Sequence, residues 1–435
     1  MAEKTSIVDD PPIQDSDAPF GSVSAMLIGQ ATMQRDRSTR ASPVMFIYLA
    51  RALRDFCDGF VAVLLPVYLT ILGLGAFEIG IIATLALLGS ALMTLIFGAL
   101  GARIDQRKLL IAAAGLMVAT GFAFAGSSTY AVVLLISFMG TINPSSGSSN
   151  VFTSLEQSIL SRAVADQQRT RIFARYSLIG ALAGAVGALA AGVPEILAAF
   201  GLAQIAALQI MFVAYAIIGL AGGAMYAFIA PQAPPRETKR VAALGPSRRM
   251  VIKMAALFSI DSLASGFAVQ SLIVLWLLHS FELSLAAAGL FFFWSGVASA
   301  FSFPVAAWLA GRIGLVNTMV YTHIPSSFCL IFAALAPNLE IALALLLLRA
   351  ALSQMDVPTR SSYVMAVVTA AERPAAASIT SVSKSLAAAI SPAFGGALFA
   401  AGYEIWPLII CGVLKILYDL ALLLTLRHIK PPEEQ

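Results

Sequence analysis

Arg51, Arg54, Asp55 and Asp58 place four charges at the head of an apolar run that continues Gly59-Phe60-Val61-Ala62-Val63-Leu64-Leu65-Pro66-Val67-Tyr68-Leu69. A charge at the centre of a bilayer costs about 2.5–3.5 kcal/mol on insertion scales, so such residues face a bundle interior or a watery path. On a helix Arg51, Asp55 and Asp58 share one stripe, and Arg54 with Asp58 forms a second i,i+4 pair. The long arginines are expected to reach back toward headgroups. Asp58 lies more than a turn deeper, where a short side chain has no such escape, and it is a candidate for proton uptake and release together with Asp55.

Similar irregularities recur farther along. Asp261 lies among Ser259, Ser262 and Ser265, and Gln270 follows about two turns later. A carboxylate here could meet Asp58 across an aqueous space and share its protons, since desolvation favours the neutral acid; the competing reading is a pair with a basic loop residue. The polar run Asn143-Pro144-Ser145-Ser146-Gly147-Ser148-Ser149-Asn150 interrupts one apolar stretch, and Gln354-Met355-Asp356-Val357-Pro358-Thr359-Arg360 interrupts another. Such breaks are tolerated at membrane depth only against protein or water. Asn143 and Gln270 are the neutral candidates for touching a solute. Arg349 shares a face with Ser353 and Asp356, where its planar fork could hold a carboxylate or phosphate or neutralise a nearby acid. Lys384 is expected to reach the headgroups, Lys415 and Asp419 to pair with each other, and His323 to have a packing role. Glu156 and Glu372 flank basic residues at helix ends, as solvated or gate-forming charges.

Composition narrows the elements that hold these residues. The 435-residue chain is 59% hydrophobic and 11% charged, with a mean hydropathy of +0.87, far from the roughly 25% charged residues of soluble domains. Cys57, Cys329 and Cys411 are scattered through apolar stretches and offer neither a disulfide framework nor a metal spacing. No phosphate-binding loop or nucleophile–base constellation is visible, no cofactor is implied, and nothing suggests nucleic acid.

A helix crosses a bilayer with about 20 apolar residues. Stretches of that length begin near Met45, Glu78, Leu109, Tyr130, Ala174, Ala203, Ile252, Leu285, Gly314, Glu340, Ala376 and Trp406. The expected fold is therefore an all-α membrane protein of twelve transmembrane helices. Alternate loops carry the Lys and Arg, among them Arg103, Arg107, Arg162, Arg169, Lys239, Arg312 and Arg373, while the intervening set has none. Positive loops stay inside, so both termini are expected in the cytoplasm and the chain in the inner (plasma) membrane. The basic, proline-bearing stretch 231–250 is expected to link two six-helix bundles, 42–230 and 251–430, with polar cytoplasmic tails at 1–41 and 431–435. The bundles echo one another. Gly80 and Gly289 are 209 positions apart, as are Arg103-Ile104 and Arg312-Ile313; Ser177-Leu178 and Ser385-Leu386 are 208 apart, and Gly59-Phe60 and Gly266-Phe267 are 207 apart. A near-constant offset implies a parallel, pseudo-symmetric repeat.

With that architecture, Gly98-Ala99-Leu100-Gly101-Ala102-Arg103-Ile104-Asp105-Gln106-Arg107-Lys108 resembles the loop between helices two and three of the major facilitator superfamily. Gly98, Leu100 and Arg103 match, while Ala102 stands where the family has Asp and Asp105 where it has Gly. Ser391-Pro392-Ala393-Phe394-Gly395-Gly396 is similar to the family's antiporter motif, and Leu345-x-x-x-Arg349 to an arginine-bearing motif, each on a different helix from the family's own. The resemblance implies a secondary active transporter of a small solute, working by alternating access as a monomer. Its cytoplasmic gate would draw on Arg103, Asp105, Arg107, Glu156 and Arg312. The residues above then divide into coupling carboxylates (Asp55, Asp58, Asp261, Asp356), with the proton as coupling ion, and solute contacts (Asn143, Gln270, Arg349). A uniporter, or a transporter-shaped receptor, is the alternative.

Overall fold

The computed structural model describes residues 43–101, 103–139, 141–144, 151–163, 166–231, 245–369 and 372–426. The polar tails, the stretch 145–150 and most of the expected linker lie outside the described residues. Helices account for nearly all of the rest: α1 Pro43–Ile71, α2 Ala76–Leu100, α3 Gln106–Gly126, α4 Tyr130–Phe138, α5 Val151–Ala163, α6 Asp166–Leu189, α7 Val193–Ala199, α8 Gln204–Ala227, α9 Arg248–Phe267, α10 Gln270–Phe281, α11 Leu285–Ile313, α12 Leu315–Ala334, α13 Leu339–Ser353, α14 Asp356–Val367, α15 Arg373–Ala400 and α16 Trp406–Leu426.

Ten helical segments are long and apolar enough to cross a membrane. Three are made of two pieces: α6 with α7, α9 with α10, and α13 with α14. The other two crossings are α1, which carries the four charges, and the interrupted pair α4 and α5. Among the described residues this makes twelve spans. Their ends follow local chemistry. Asp105 accepts a hydrogen bond from the Arg107 amide at 3.0 Å, Ser284 from Ala287 at 3.1 Å and Asn338 from Ile341 at 3.0 Å, each satisfying a donor that a helix start leaves free. Gly314, at φ 86°, is the single residue between α11 and α12, a turn only glycine makes without strain. The breaks near Asn143 and Gln354 fall where the polar residues interrupt the apolar runs. A third break, at Ala268-Val269, carries no polar residue and was not expected.

Within each half the inner helices pack through glycine. A Cβ on Gly59 of α1 would lie 2.0 Å from the Gly184 carbonyl oxygen of α6, and one on Gly187 would lie 2.0 Å from that of Phe56. In the second half Gly266 of α9 meets α15 the same way, with Ser391 Oγ 2.1 Å from a notional Cβ. Small residues permit this approach, which compensates for the missing hydrophobic drive between helices in lipid. Gly59 and Gly266 are one of the repeat pairs, so the duplication is expressed as equivalent contacts.

The halves join near the ends served by loops without Lys or Arg. Gly80 of α2 faces Pro392 and Gly396 of α15, and the Ala393 amide donates to Thr84 Oγ1 at 3.0 Å. Gly289 of α11 lies against Ala188 of α6, and the Leu285 amide donates to Glu195 Oε1 at 2.6 Å. Deeper, the Ser271 amide donates to the Pro144 carbonyl at 3.2 Å. Toward the basic ends, one face of α1 (Met45, Leu49) and one of α9 (Ile252, Ile260) is exposed.

Candidate functional site

The charges of α1 turn inward. Arg54 is 4% exposed and Glu156 of α5 is fully buried. Arg54 Nη1 and Nη2 lie 2.9 and 3.1 Å from Glu156 Oε1 and Oε2, the bidentate geometry that suits arginine. Tyr226 of α8 donates to Glu156 Oε1 and Tyr176 of α6 to Oε2, both at 2.5 Å. Four donors thus converge on one carboxylate. Arg51 Nε is 2.6 Å from Asp55 Oδ2, and its Nη1 donates to Thr153 at 2.8 Å; Arg54 lies 3.5 Å from Asp55. The Arg54 guanidinium also stands over Phe152, 4.7 Å from the ring centre. The expectation that Arg51 and Arg54 reach the headgroups is therefore wrong. Besides Asp55 on α1 itself, their partners sit on α5, α6 and α8, and spacing along α1 carries no information about those.

Asp58 is buried beside Tyr215 of α8 and the Asp55 pair. Among the described residues no cation lies within 4 Å of it and no donor reaches it, which sets it apart from Asp55.

The second half holds a larger cluster. Asp261 Oδ1 accepts from Lys415 of α16 at 2.7 Å and Oδ2 from Arg360 of α14 at 2.9 Å. Arg360 also pairs closely with Asp356 one turn away and stands 5.1 Å from the Phe258 ring centre. His323 Nδ1 lies 3.0 Å from both oxygens of Asp419, and its Nε2 is 3.3 Å from Lys415 Nζ. Lys415 only donates, so Nε2 accepts and Nδ1 carries the hydrogen. Lys415 and Asp419, expected to pair with each other, take different partners because α16 lies against both α9 and α12. His323 bridges a polar network and is more than packing. Asp58 and Asp261 do not meet across a shared space, since each is enclosed in its own half.

Arg349 stands near Cys329 of α12 and Cys411 of α16 and, among the described residues, has no carboxylate within 4 Å. Both of those neighbours belong to the second half. The gate residues are dispersed as well. Asp105 caps α3, Arg107 donates to the Ala227 carbonyl at 2.7 Å, Arg103 is exposed, Arg312 lies over Trp308 at 4.1 Å, and Glu156 is enclosed with Arg54. Among the described residues these five side chains are held at separate places. Asn143 and Gln270, by contrast, are brought together, because the hydrogen bond between the halves at Ser271 and Pro144 joins the residues next to them.

The two charge clusters are related by the repeat with their signs exchanged. The offset of 207 that links Gly59 to Gly266 also links Arg54 to Asp261. In the first half the cation is on the first span, with the acid and the stacking Phe on the fourth. In the second half the acid and the Phe are on the first span and the cation is on the fourth.

Residues 47–273 and 254–435 both match the family model of the Major Facilitator Superfamily, so nearly the whole chain is covered, half by half. The chain belongs to the major facilitator superfamily. It is a multi-pass membrane protein of a transporter family, not an enzyme. Among major facilitator structures, a bacterial homolog of the human lysosomal transporter Spinster, inward-facing and unoccupied, shares the fold at a TM-score of 0.71 and 13% identity, over 90% of this chain and 99% of that one. The nucleoside transporter NupG gives 0.67 at 14%, over 88% and 99%. The human organic anion transporter MFSD10 gives 0.61 at 16%, also over 88% and 99%. In sequence, the chain is 23% identical over 415 residues to the uncharacterized membrane protein YJR124C of Saccharomyces cerevisiae, covering 87% of this chain and 93% of that protein.

Proposed function

We propose that the protein is a secondary active transporter that moves a small solute by alternating access and is driven by a proton gradient. The carrying observation is the one-sided closure. The two halves touch through α2 with α15 and α6 with α11 near the ends without Lys or Arg, while faces of α1 and α9 lie uncovered toward the basic ends. With the basic loops inside, this arrangement supports a cytoplasm-facing state of a carrier whose bundles, about 42–230 and 251–430, rock about the Asn143 and Gln270 joint. The neutral amides are the proposed solute contacts. Asp58 is the proposed coupling group: a buried carboxylate without a counter-charge is costly, and one proton relieves that cost whenever water reaches it.

The test is flux in proteoliposomes. Asp58→Asn is expected to retain solute exchange and lose acceleration by an imposed pH gradient, whereas Asp55→Asn, which strips a partner from Arg51, is expected to lower stability as well. Unchanged coupling in Asp58→Asn would remove Asp58 from the mechanism, and flux indifferent to an uncoupler in the wild type would favour a uniporter.

A further inference from the structure

Lys384 of α15 is the ion that the clusters leave over. It is half-buried, eleven residues beyond the start of its helix at Arg373, about 16 Å along the axis at 1.5 Å per residue. The repeat explains its surroundings. The offset of 208 that links Ser177 to Ser385 pairs Tyr176 with Lys384. Tyr176 hydrogen-bonds the acid of the first half, Glu156. Because the signs are exchanged, Lys384 comes instead to a cluster whose matching member is a cation, Arg360, with Lys415 also nearby. The acids within its reach, Asp261 and Asp356, are already held by Lys415 and Arg360. Among the described residues no carboxylate lies within 4 Å of Lys384.

The wider charge distribution points the same way. Six acids of the described spans (Asp55, Asp58, Glu156, Asp261, Asp356, Asp419) are buried inside a half, while Glu78, Glu195 and Glu340 lie at the opposite ends, beside the loops without Lys or Arg. The exposed ions toward the basic ends of the inner helices, Arg175 on α6 and Lys253 on α9, are cations. Among the described residues, these exposed cations favour an anion entering from that end.

Resting on the transport reading, we infer that Lys384 anchors an anionic group of the solute, a carboxylate, sulfonate or phosphate, and takes the place expected for Arg349. The apolar faces of α1 and α9 suit an organic body on that anion. An anionic lipid headgroup shares this chemistry, so the experiment separates the two.

The full-length protein in nanodiscs of zwitterionic lipid is titrated with 2-naphthoate, 2-naphthalenesulfonate, uncharged 2-naphthamide and 2-naphthylmethylammonium, followed by tryptophan fluorescence. Wild type and Lys384→Arg should bind the two anions at least about tenfold more tightly than the amide or the ammonium, and Lys384→Gln should lose that preference while keeping amide affinity. Equal anion affinity in Lys384→Gln, or wild-type preference for the amide or ammonium, overturns the assignment. If phosphatidylglycerol added to the nanodisc competes with naphthoate at Lys384, the occupant is a headgroup and the solute assignment fails. Naphthoate flux in proteoliposomes separates the two readings. Lys384-dependent binding without flux of any anion would leave the anion site standing and remove transport. Flux with Lys384-independent binding would do the reverse.

Discussion

At the scale of single residues, an interaction on the cytoplasmic side makes a pH prediction. Glu372, between α14 and α15, accepts hydrogen bonds from the Gly245 amide and from Thr369 Oγ1, the latter at 2.6 Å. The hydrogen bond from Ser247, followed by those from Thr369 and the Gly245 amide, holds its carboxyl down at about 2, against an ordinary value of 4.5. Folded-state depression means the stabilisation is complete above 4.5 and is lost as pH falls through about 2. Peptic cleavage between α8 and α9 should therefore rise steeply across that window in wild type and be flatter in Glu372→Gln; identical profiles would show that Glu372 does not tie Gly245 down. The residues differ in how far sequence could place them. Asn143 and Gln270 stand out in the sequence because a neutral amide in an apolar run has few reasons to be there, and the structure adds only that the residues next to them, Pro144 and Ser271, bond across the halves. Arg54, Lys384 and His323 were not legible, because their meaning lies in partners more than ninety positions away or in the sign of the repeat-related residue.

At the scale of elements, similar close approaches by glycine serve two purposes. Gly59 lies inside a half, so Gly59→Ala drives its Cβ toward a backbone carbonyl that belongs to the same rigid unit; overpacking of this kind costs about 1–3 kcal/mol, visible as a lower thermal midpoint. Gly80 lies between the halves, 2.5 Å from the Pro392 carbonyl oxygen if given a Cβ. In the proposed alternating-access cycle that contact opens in an outward-facing state, so Gly80→Ala should leave each bundle intact and shift the population toward that state. Spin labels on α2 and α15 near the loops without Lys or Arg should report a longer distance in Gly80→Ala and an unaltered one in Gly59→Ala. No lengthening in Gly80→Ala would mean that α2 and α15 do not seal that end. The helix breaks near Asn143 and Gln354 could be read from Pro and clustered polar residues, but the one at Ala268 could not. There the amide of Ser271 bonds to the other half, a cause that lies outside the local sequence.

At the scale of the whole molecule, duplication preserved a geometry and exchanged the charges within it. If what each half requires is one ion pair between its first and fourth spans, the polarity of that pair is free, and the second half already displays the reverse order. Arg54→Asp alone would set an acid against Glu156, and Glu156→Arg alone would set two cations together; breaking a buried pair costs about 3–5 kcal/mol. Arg54→Asp with Glu156→Arg rewrites the first half in the order of the second. The hydroxyls of Tyr176 and Tyr226, which now donate to Glu156, can accept from an arginine. The double variant should therefore recover a substantial part of the lost stability, read as a coupling energy of about 0.5–3 kcal/mol between the sites in denaturation of the purified protein. Strict additivity of the two losses would mean that the bundle depends on the arginine being on α1, and that the exchanged signs reflect separate tasks for the halves.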